Sequence, residues 1–158
     1  MVESGFKTKA YAALEPSGPL VPHEITRRAV GDDDVHIKTA FAGICHSDIH
    51  QVREEWGKAT FPMVPGHEIA GVVVAVGKNV TAFKVGDHAG VGCLVDSCRS
   101  CENCKNGEEN YCLTGMVGTY NSRAKYPHCP GYDAETKTGP VTYGGYSQDI
   151  VVHKDYAL

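Results

Sequence analysis

The sequence predicts a mainly β domain, a bent or partly open barrel with short helices and a separate cysteine lobe. Three observations predict it. Eighteen glycines and eight prolines punctuate the 158 residues too often for long helices. Short alternating or β-branched runs lie between them. Four cysteines, Cys98, Cys101, Cys104 and Cys112, crowd into CRSCENCKNGEENYC, a segment with little apolar content. The length suits one domain with a hydrophobic core of its own.

Taken in chain order, strands are expected over residues 9–14, 35–42, 69–76, 88–95 and 146–153, each a short apolar or alternating run. Residues 47–56 (SDIHQVREEW) form the best helix candidate, with Ile49, Val52 and Trp56 spaced for one apolar face. Cys93 falls in the fourth strand-like run and is expected to be an inert core thiol. Residues 123–140 are polar and rich in Pro and Gly, which predicts a long loop. His128 and Cys129 lie in it; their residue types allow an additional metal site there, but none is expected.

Composition excludes several function classes. A charged fraction of 22% and a net charge of −4 provide no basic surface for nucleic acid. Residues 1–11 contain no apolar core of a signal peptide. No apolar run approaches the roughly 20 residues that span a bilayer, so no membrane partner is expected. Seven cysteines without an export signal point to a reducing, cytoplasmic setting, where metal ligation is favoured over disulfides.

The four-cysteine run has the spacing C-x2-C-x2-C-x7-C. Two-residue gaps let successive thiolates turn back onto one point, which suits a tetrahedral structural zinc. A pair of disulfides, or thiols gathered without a ligand, is the alternative. With so few apolar residues, the lobe of about residues 94–116 is expected to be folded by its metal rather than by a core. A second constellation lies upstream, in Cys45-His46-Ser47-Asp48-Ile49-His50 and Pro65-Gly66-His67-Glu68. Cys45 and His67 are good zinc ligands and Glu68 is a possible third, but only the fold can bring them together. Taken singly, Cys45 reads more readily as a small buried hydrophobe than as a ligand, and His67 as a satisfied or exposed histidine.

The segments GICHSDIHQV (residues 43–52), VPGHE (64–68), the cysteine lobe, Gly71 with Gly77, and KVGD (84–87) together resemble zinc-dependent medium-chain alcohol dehydrogenases. The flavour is that of the cinnamyl-alcohol-dehydrogenase-like and bacterial broad-range aldehyde reductase branch, carried by CHSD and by VGCLVDSC at residues 91–98. The resemblance runs in order from about residue 10 to residue 158, and implies that residues 1–158 form the N-terminal GroES-like catalytic domain of such an enzyme.

The resemblance also implies roles. Cys45 and His67 would be ligands of a catalytic zinc, and Glu68 a carboxylate able to swing onto it. Asp48 would accept a hydrogen bond from the non-ligating nitrogen of His67. An N-cap of the 47–56 helix is the plainer reading of Asp48. Ser47 would take the proton from the alcohol, whose pKa zinc lowers, and His50 would be the outer end of that relay. His46 would approach the cofactor pyrophosphate. Trp56 and Tyr120 are candidate walls of a substrate pocket, although packing explains either one as well.

The implied reaction is reversible hydride transfer between an alcohol or aldehyde and NADP(H), in a full-length homodimer carrying one structural and one catalytic Zn2+. Hydride transfer needs a dinucleotide fold with a glycine-rich phosphate turn. These residues hold only Gly90-Val91-Gly92, with Val95 where a third glycine would fall. The coenzyme-binding Rossmann domain, and a further cysteine ligand of the catalytic zinc, are therefore expected outside this chain, which alone is expected to be inactive. The competing reading is a zinc-stabilised β module for binding or assembly, which has no need of Ser47, Asp48 and His50 around a second, open metal site.

Overall fold

In the computed structural model, which describes residues 5–158, the chain is built from eight short strands and two short helices. β1 (Phe6–Ala13) and β2 (Leu20–Arg27) pair as an antiparallel hairpin, Phe6 opposite Arg27 and Ala13 opposite Leu20. β3 (Asp34–Ala42), β4 (Ile69–Val76), β5 (His88–Val91) and β8 (Asp149–His153) form a four-stranded antiparallel sheet in the order β5-β4-β3-β8. β6 (Leu94–Asp96) and β7 (Val117–Gly118) make a small ribbon at the base of the cysteine lobe. Bridges from Ala10 to Ser147 and from Ala13 to Met63 tie the hairpin to the rest.

The expected mainly β, partly open architecture is what the chain adopts. β4 has the bounds expected, and β3 begins one residue early. Four differences have local causes. β2 was not expected because Pro22 interrupts its run. As one of only two strands in its sheet, it tolerates a residue with no N–H to donate. The run at 88–95 is two strands, broken at Gly92-Cys93, so that Cys93 is exposed rather than a core thiol. The first strand starts at Phe6 and the last at Asp149, three residues from the expected positions. The helix α1 is His46–Val52, shorter than expected, and it turns a carboxylate inward rather than an apolar stripe. Asp48 is its buried residue, while Ile49 is exposed and Trp56 is 62% exposed.

The main core gathers Val35, Ile37, Ile69, Val73, Ala89, Val91, Ile150 and Val152 on one face of the four-stranded sheet, closed by Tyr156. Burying such side chains contributes roughly 1.5–3 kcal/mol each. A second cluster, Ala10, Ala12, Ile25 and Val64, lies under the hairpin with Tyr143 and Tyr146 packed on it. Between them sits Arg27, buried but bonded throughout. Its guanidinium donates to the carbonyls of Asp149, Tyr143 and Gly144 and to Ser147 Oγ at 2.7–2.9 Å. Burial lowers its pKa to about 10, despite the nearby Asp149 carboxylate, so it stays charged at neutral pH. By fixing residues 143–149, Arg27 also fixes the wall against which the second metal-type cluster is built.

Candidate metal centre

Two groups of donors converge among the described residues in the places the sequence marks. The first is the lobe. All seven cysteines are free thiols, which removes the disulfide alternative. Ligand atoms of Cys98, Cys101, Cys104 and Cys112 all lie within 4.8 Å of one another. The Sγ–Sγ separations are 3.4 Å for Cys101–Cys104 and 3.9 Å for Cys98–Cys104. Four thiolates around one zinc, with Zn–S near 2.3 Å, stand roughly 3.8 Å apart, so the donor set fits that ion.

The local fold serves this convergence. Cys101 caps the one-turn helix α2 (Glu102–Lys105), which carries Cys104 inward, and the 3-10 turn Glu109–Tyr111 returns the chain to Cys112. Backbone N–H groups of Ser100 and Cys101 hold the Cys98 thiol down at about 5. Cys104 hydrogen-bonds Ser97, yet burial and the neighbouring thiols push it up to about 11. A dication at the centre would take all four as thiolates and remove that imbalance.

The second group is Cys45, His67 and Glu68, whose donor atoms also lie within 4.8 Å of one another. Their arrangement is set by the buried Asp48. One carboxylate oxygen accepts from the backbone N–H of Cys45 (3.1 Å) and from the Tyr146 hydroxyl (2.9 Å); the other accepts from the N–H of Gly66 (3.1 Å). One side chain thus stitches the segment bearing Cys45 to the segment bearing His67. The second segment is held from behind by Gly144 N–H to Val64 C=O (2.8 Å), Gly145 N–H to Gly66 C=O (2.9 Å) and Tyr146 N–H to Pro65 C=O (3.0 Å). Gly66 has φ +99°, and an added Cβ would meet the Tyr146 ring at 2.8 Å, so this turn needs glycine twice over. Gly43 is also required, because a Cβ there would run into the Glu68 side chain.

Two expectations about Asp48 are corrected by this geometry. Asp48 is not the N-cap of α1; Cys45 is, and Asp48 is the third helical residue, reaching back to the cap's backbone N–H. Asp48 Oδ1 is 3.9 Å from His67 Nδ1, beyond hydrogen-bond reach, so it acts on His67 through the Gly66 backbone.

Ser47 Oγ is buried near Cys45 and makes no well-formed hydrogen bond with the described residues, the Tyr120 hydroxyl lying close enough only to bear on it electrostatically. A hydroxyl in that condition costs about 1–3 kcal/mol unless something else meets it, as a ligand at the adjacent donors would. His50 is half-buried, with Nδ1 bonded to the Glu55 carboxylate and its ring stacked on Trp56 at 4.7 Å and beside His46 at 4.7 Å. No direct bond joins Ser47 to His50. Glu55 was missed by sequence reasoning, and its only signal was its place five residues beyond His50. Tyr120 is buried, with its ring parallel to His67 at 5.9 Å. Burial and the Asp48 carboxylate raise its pKa, which keeps it a neutral phenol. Trp56 faces solvent, as do Ile44 (82% exposed) and Phe41 beside Cys45.

Comparisons with known proteins agree with this geometry. Residues 31–158 match the family model described as the alcohol dehydrogenase GroES-like domain. The chain is 57% identical over 150 residues to NADP-dependent alcohol dehydrogenase C 1 of Mycolicibacterium smegmatis, covering 94% of this chain and 40% of that protein. It is 56% identical over 147 residues to the probable cinnamyl alcohol dehydrogenase 3 of Oryza sativa subsp. japonica, covering 93% and 37%. The fold superposes on the crystal structure of CAD from Helicobacter pylori complexed with NADP(H) with a TM-score of 0.85 at 42% identity, covering 98% and 41%. The chain therefore spans about two fifths of the length of the relatives it matches. No helix among the described residues is long and apolar enough to cross a membrane.

Proposed function

The chain belongs to the family of alcohol dehydrogenase GroES-like domains, and on that premise we propose that it is the catalytic domain of a zinc-dependent alcohol dehydrogenase or aldehyde reductase using NADP(H). The observation that carries this is the convergence of Cys45, His67 and Glu68 beside a buried hydroxyl, Ser47 Oγ, that has no partner of its own. A purely structural β module has no use for an open donor set next to an unsatisfied hydroxyl. The donors fit zinc, since thiolate, imidazole and carboxylate are its usual protein ligands. Bound there, zinc would supply Lewis-acid polarisation of an alcohol or carbonyl oxygen.

The chain's own residues do the rest. Cys45 and His67 would hold the metal from two different segments, and Glu68, at the exposed rim, would offer it a carboxylate. Asp48 is a positioning residue that fixes both ligand-bearing backbones at once. Ser47 Oγ takes the proton from the alcohol. His50, with one edge toward solvent and Nδ1 on Glu55, is the outer acceptor, and because no direct bond joins the two a bridging hydroxyl or water completes the path. Tyr120 lies parallel to His67 and walls the centre. His46, exposed beside His50, is read by the family resemblance as the residue that meets a cofactor phosphate. The relatives' names, NADP-dependent alcohol dehydrogenase and cinnamyl alcohol dehydrogenase, support NADP(H) and an alcohol–aldehyde pair.

By the same reading the nicotinamide is held by a Rossmann unit outside these 158 residues, the complete enzyme is a homodimer, and it works in the cytoplasm. Cobalt in place of zinc tests the central assignment on this chain directly. Adding a primary alcohol or an aldehyde is expected to shift the cobalt d–d bands, and Cys45→Ser to abolish that shift. Bands indifferent to alcohol and aldehyde at saturation would contradict an open catalytic metal site.

A further inference from the structure

A third cluster of donors lies outside both groups. Asp96, at the end of β6, meets His128 and Cys129 of the long 123–140 loop, and their ligand atoms lie within 4.8 Å of one another. Cys129 Sγ donates to Asp96 Oδ2 at 3.1 Å, and His128 Nε2 lies 3.1 Å from Asp96 Oδ1. We propose that Asp96, His128 and Cys129 form a further zinc-type site, for a borderline divalent cation, that clamps the long loop to the base of the cysteine lobe.

The donor chemistry suits such an ion. Carboxylate, imidazole and thiolate are zinc ligands, and three protein ligands leave a position for water. Around a tetrahedral zinc such donors stand roughly 3.3–3.5 Å apart. Opening the 3.1 Å Cys129–Oδ2 contact by a few tenths of an ångström, and turning the His128 ring from Oδ1 toward the same point, would therefore admit the ion. The existing contacts are what a metal would replace, since it would take over the thiol proton's place between Cys129 and Asp96.

The surroundings hold the ligands in position. Asp96 Oδ1 also accepts from the Ser97 N–H at 2.8 Å and from Arg99 Nε at 3.0 Å, which pins the carboxylate and leaves Oδ2 for the ion. The His128 ring lies parallel to Tyr126 at 5.5 Å, and the Tyr126 hydroxyl is within 3.0 Å of Thr114 Oγ1 in the lobe. Asp96 and Cys129 are buried and line a cavity of about 410 Å3, whereas His128, with 33% of its side chain exposed, opens the site to solvent. Arg99 and Arg28 bear on the same carboxylate. Their positive charge favours the anionic form of Asp96, whereas burial and that carboxylate push the Cys129 thiol up to about 11, so a metal there has to displace the thiol proton. The cysteine motif absorbs none of these three residues, and the loop that brings two of them is also tied to the lobe by the Tyr126 hydroxyl, which donates to the Gly115 carbonyl.

Zinc stoichiometry tests this without reference to catalysis. The zinc-saturated, desalted chain is compared with His128→Ala, Cys129→Ser and Cys45→Ser by elemental analysis. His128→Ala and Cys129→Ser are each expected to lose about one equivalent, and combining either with Cys45→Ser to lose a second. His128 is exposed, so its variant folds even where Cys129→Ser does not. A zinc content in His128→Ala equal to that of the parent would reduce the cluster to a hydrogen-bonded knot and overturn the proposal, whatever Cys45→Ser does.

Discussion

The cysteine lobe and the Cys45–His67–Glu68 cluster solve the same chemical problem in opposite ways. In the lobe, four ligands come from fifteen consecutive residues, and one short helix and one 3-10 turn suffice to converge them. In the second cluster, the ligands come from segments 22 residues apart and are aligned by Asp48, Tyr146 and the Gly66 turn, which Arg27 supports through residues 143–149. With little apolar content, the lobe is the region expected to depend on a metal for its fold. The second cluster is aligned by hydrogen bonds that need no metal, the condition in which a coordination position can stay open for chemistry.

The largest expected effect falls on the lobe. Cys104→Ser removes one of the two buried thiols of the four, and zinc affinity in such sites is folding energy of about 10 kcal/mol or more. Residues 98–112 should become protease-sensitive while the β core stays protected, as limited proteolysis with mass mapping would show. Unchanged protection would mean that the lobe does not depend on its four cysteines.

Asp48→Ala comes next and acts on the other region. It strips partners from two backbone N–H groups and the Tyr146 hydroxyl, a loss of about 3 kcal/mol in denaturant unfolding. Zinc at Cys45 and His67 should weaken 10–100-fold with it, while zinc in the lobe is retained. A loss of both zincs together would show that the two regions are not independent.

Gly43→Ala should be milder. The new Cβ displaces Glu68, costing about 1 kcal/mol, and it should lower metal affinity at that centre only. Competition with a chromophoric chelator reads this directly.

The smallest effect is a pH dependence in the scaffold. Burial pushes the Asp149 carboxyl up, but Thr8, His36 and Lys38 together outweigh it and leave its pKa below the ordinary value. A carboxylate lowered in the fold contributes stability above its unfolded pKa of about 3.9, and the contribution is lost as pH falls through the folded value. Asp149→Asn should therefore be less stable than the parent at pH 6, with the gap closing below about pH 4. A gap that widened on acidification would reverse the assignment.

What the sequence disclosed follows the same division. The lobe was legible because its ligands are local, and two-residue gaps leave few other geometries. The β4 run IAGVVVAV was legible because a buried central strand carries a continuous apolar code. Cys45 and His67 were legible only by family resemblance, since nothing local relates them. The β2 edge strand was hidden by Pro22, and the buried face of α1 by a carboxylate whose partners lie at residues 45, 66 and 146. Glu55 against His50, and Asp96 against Cys129, are contacts that no spacing rule announces.

Kinetics of zinc release from the saturated chain, followed with a metal-sensitive dye, test the central claim most directly. In the His128→Ala chain, which removes the third site, a slow pool held by the four lobe thiolates is expected beside a faster pool at Cys45 and His67 that the added Cys45→Ser deletes. If Cys45→Ser left the fast pool intact, or if all zinc left at the rate of the lobe, the reading of Cys45, His67 and Glu68 as an open catalytic centre would be wrong.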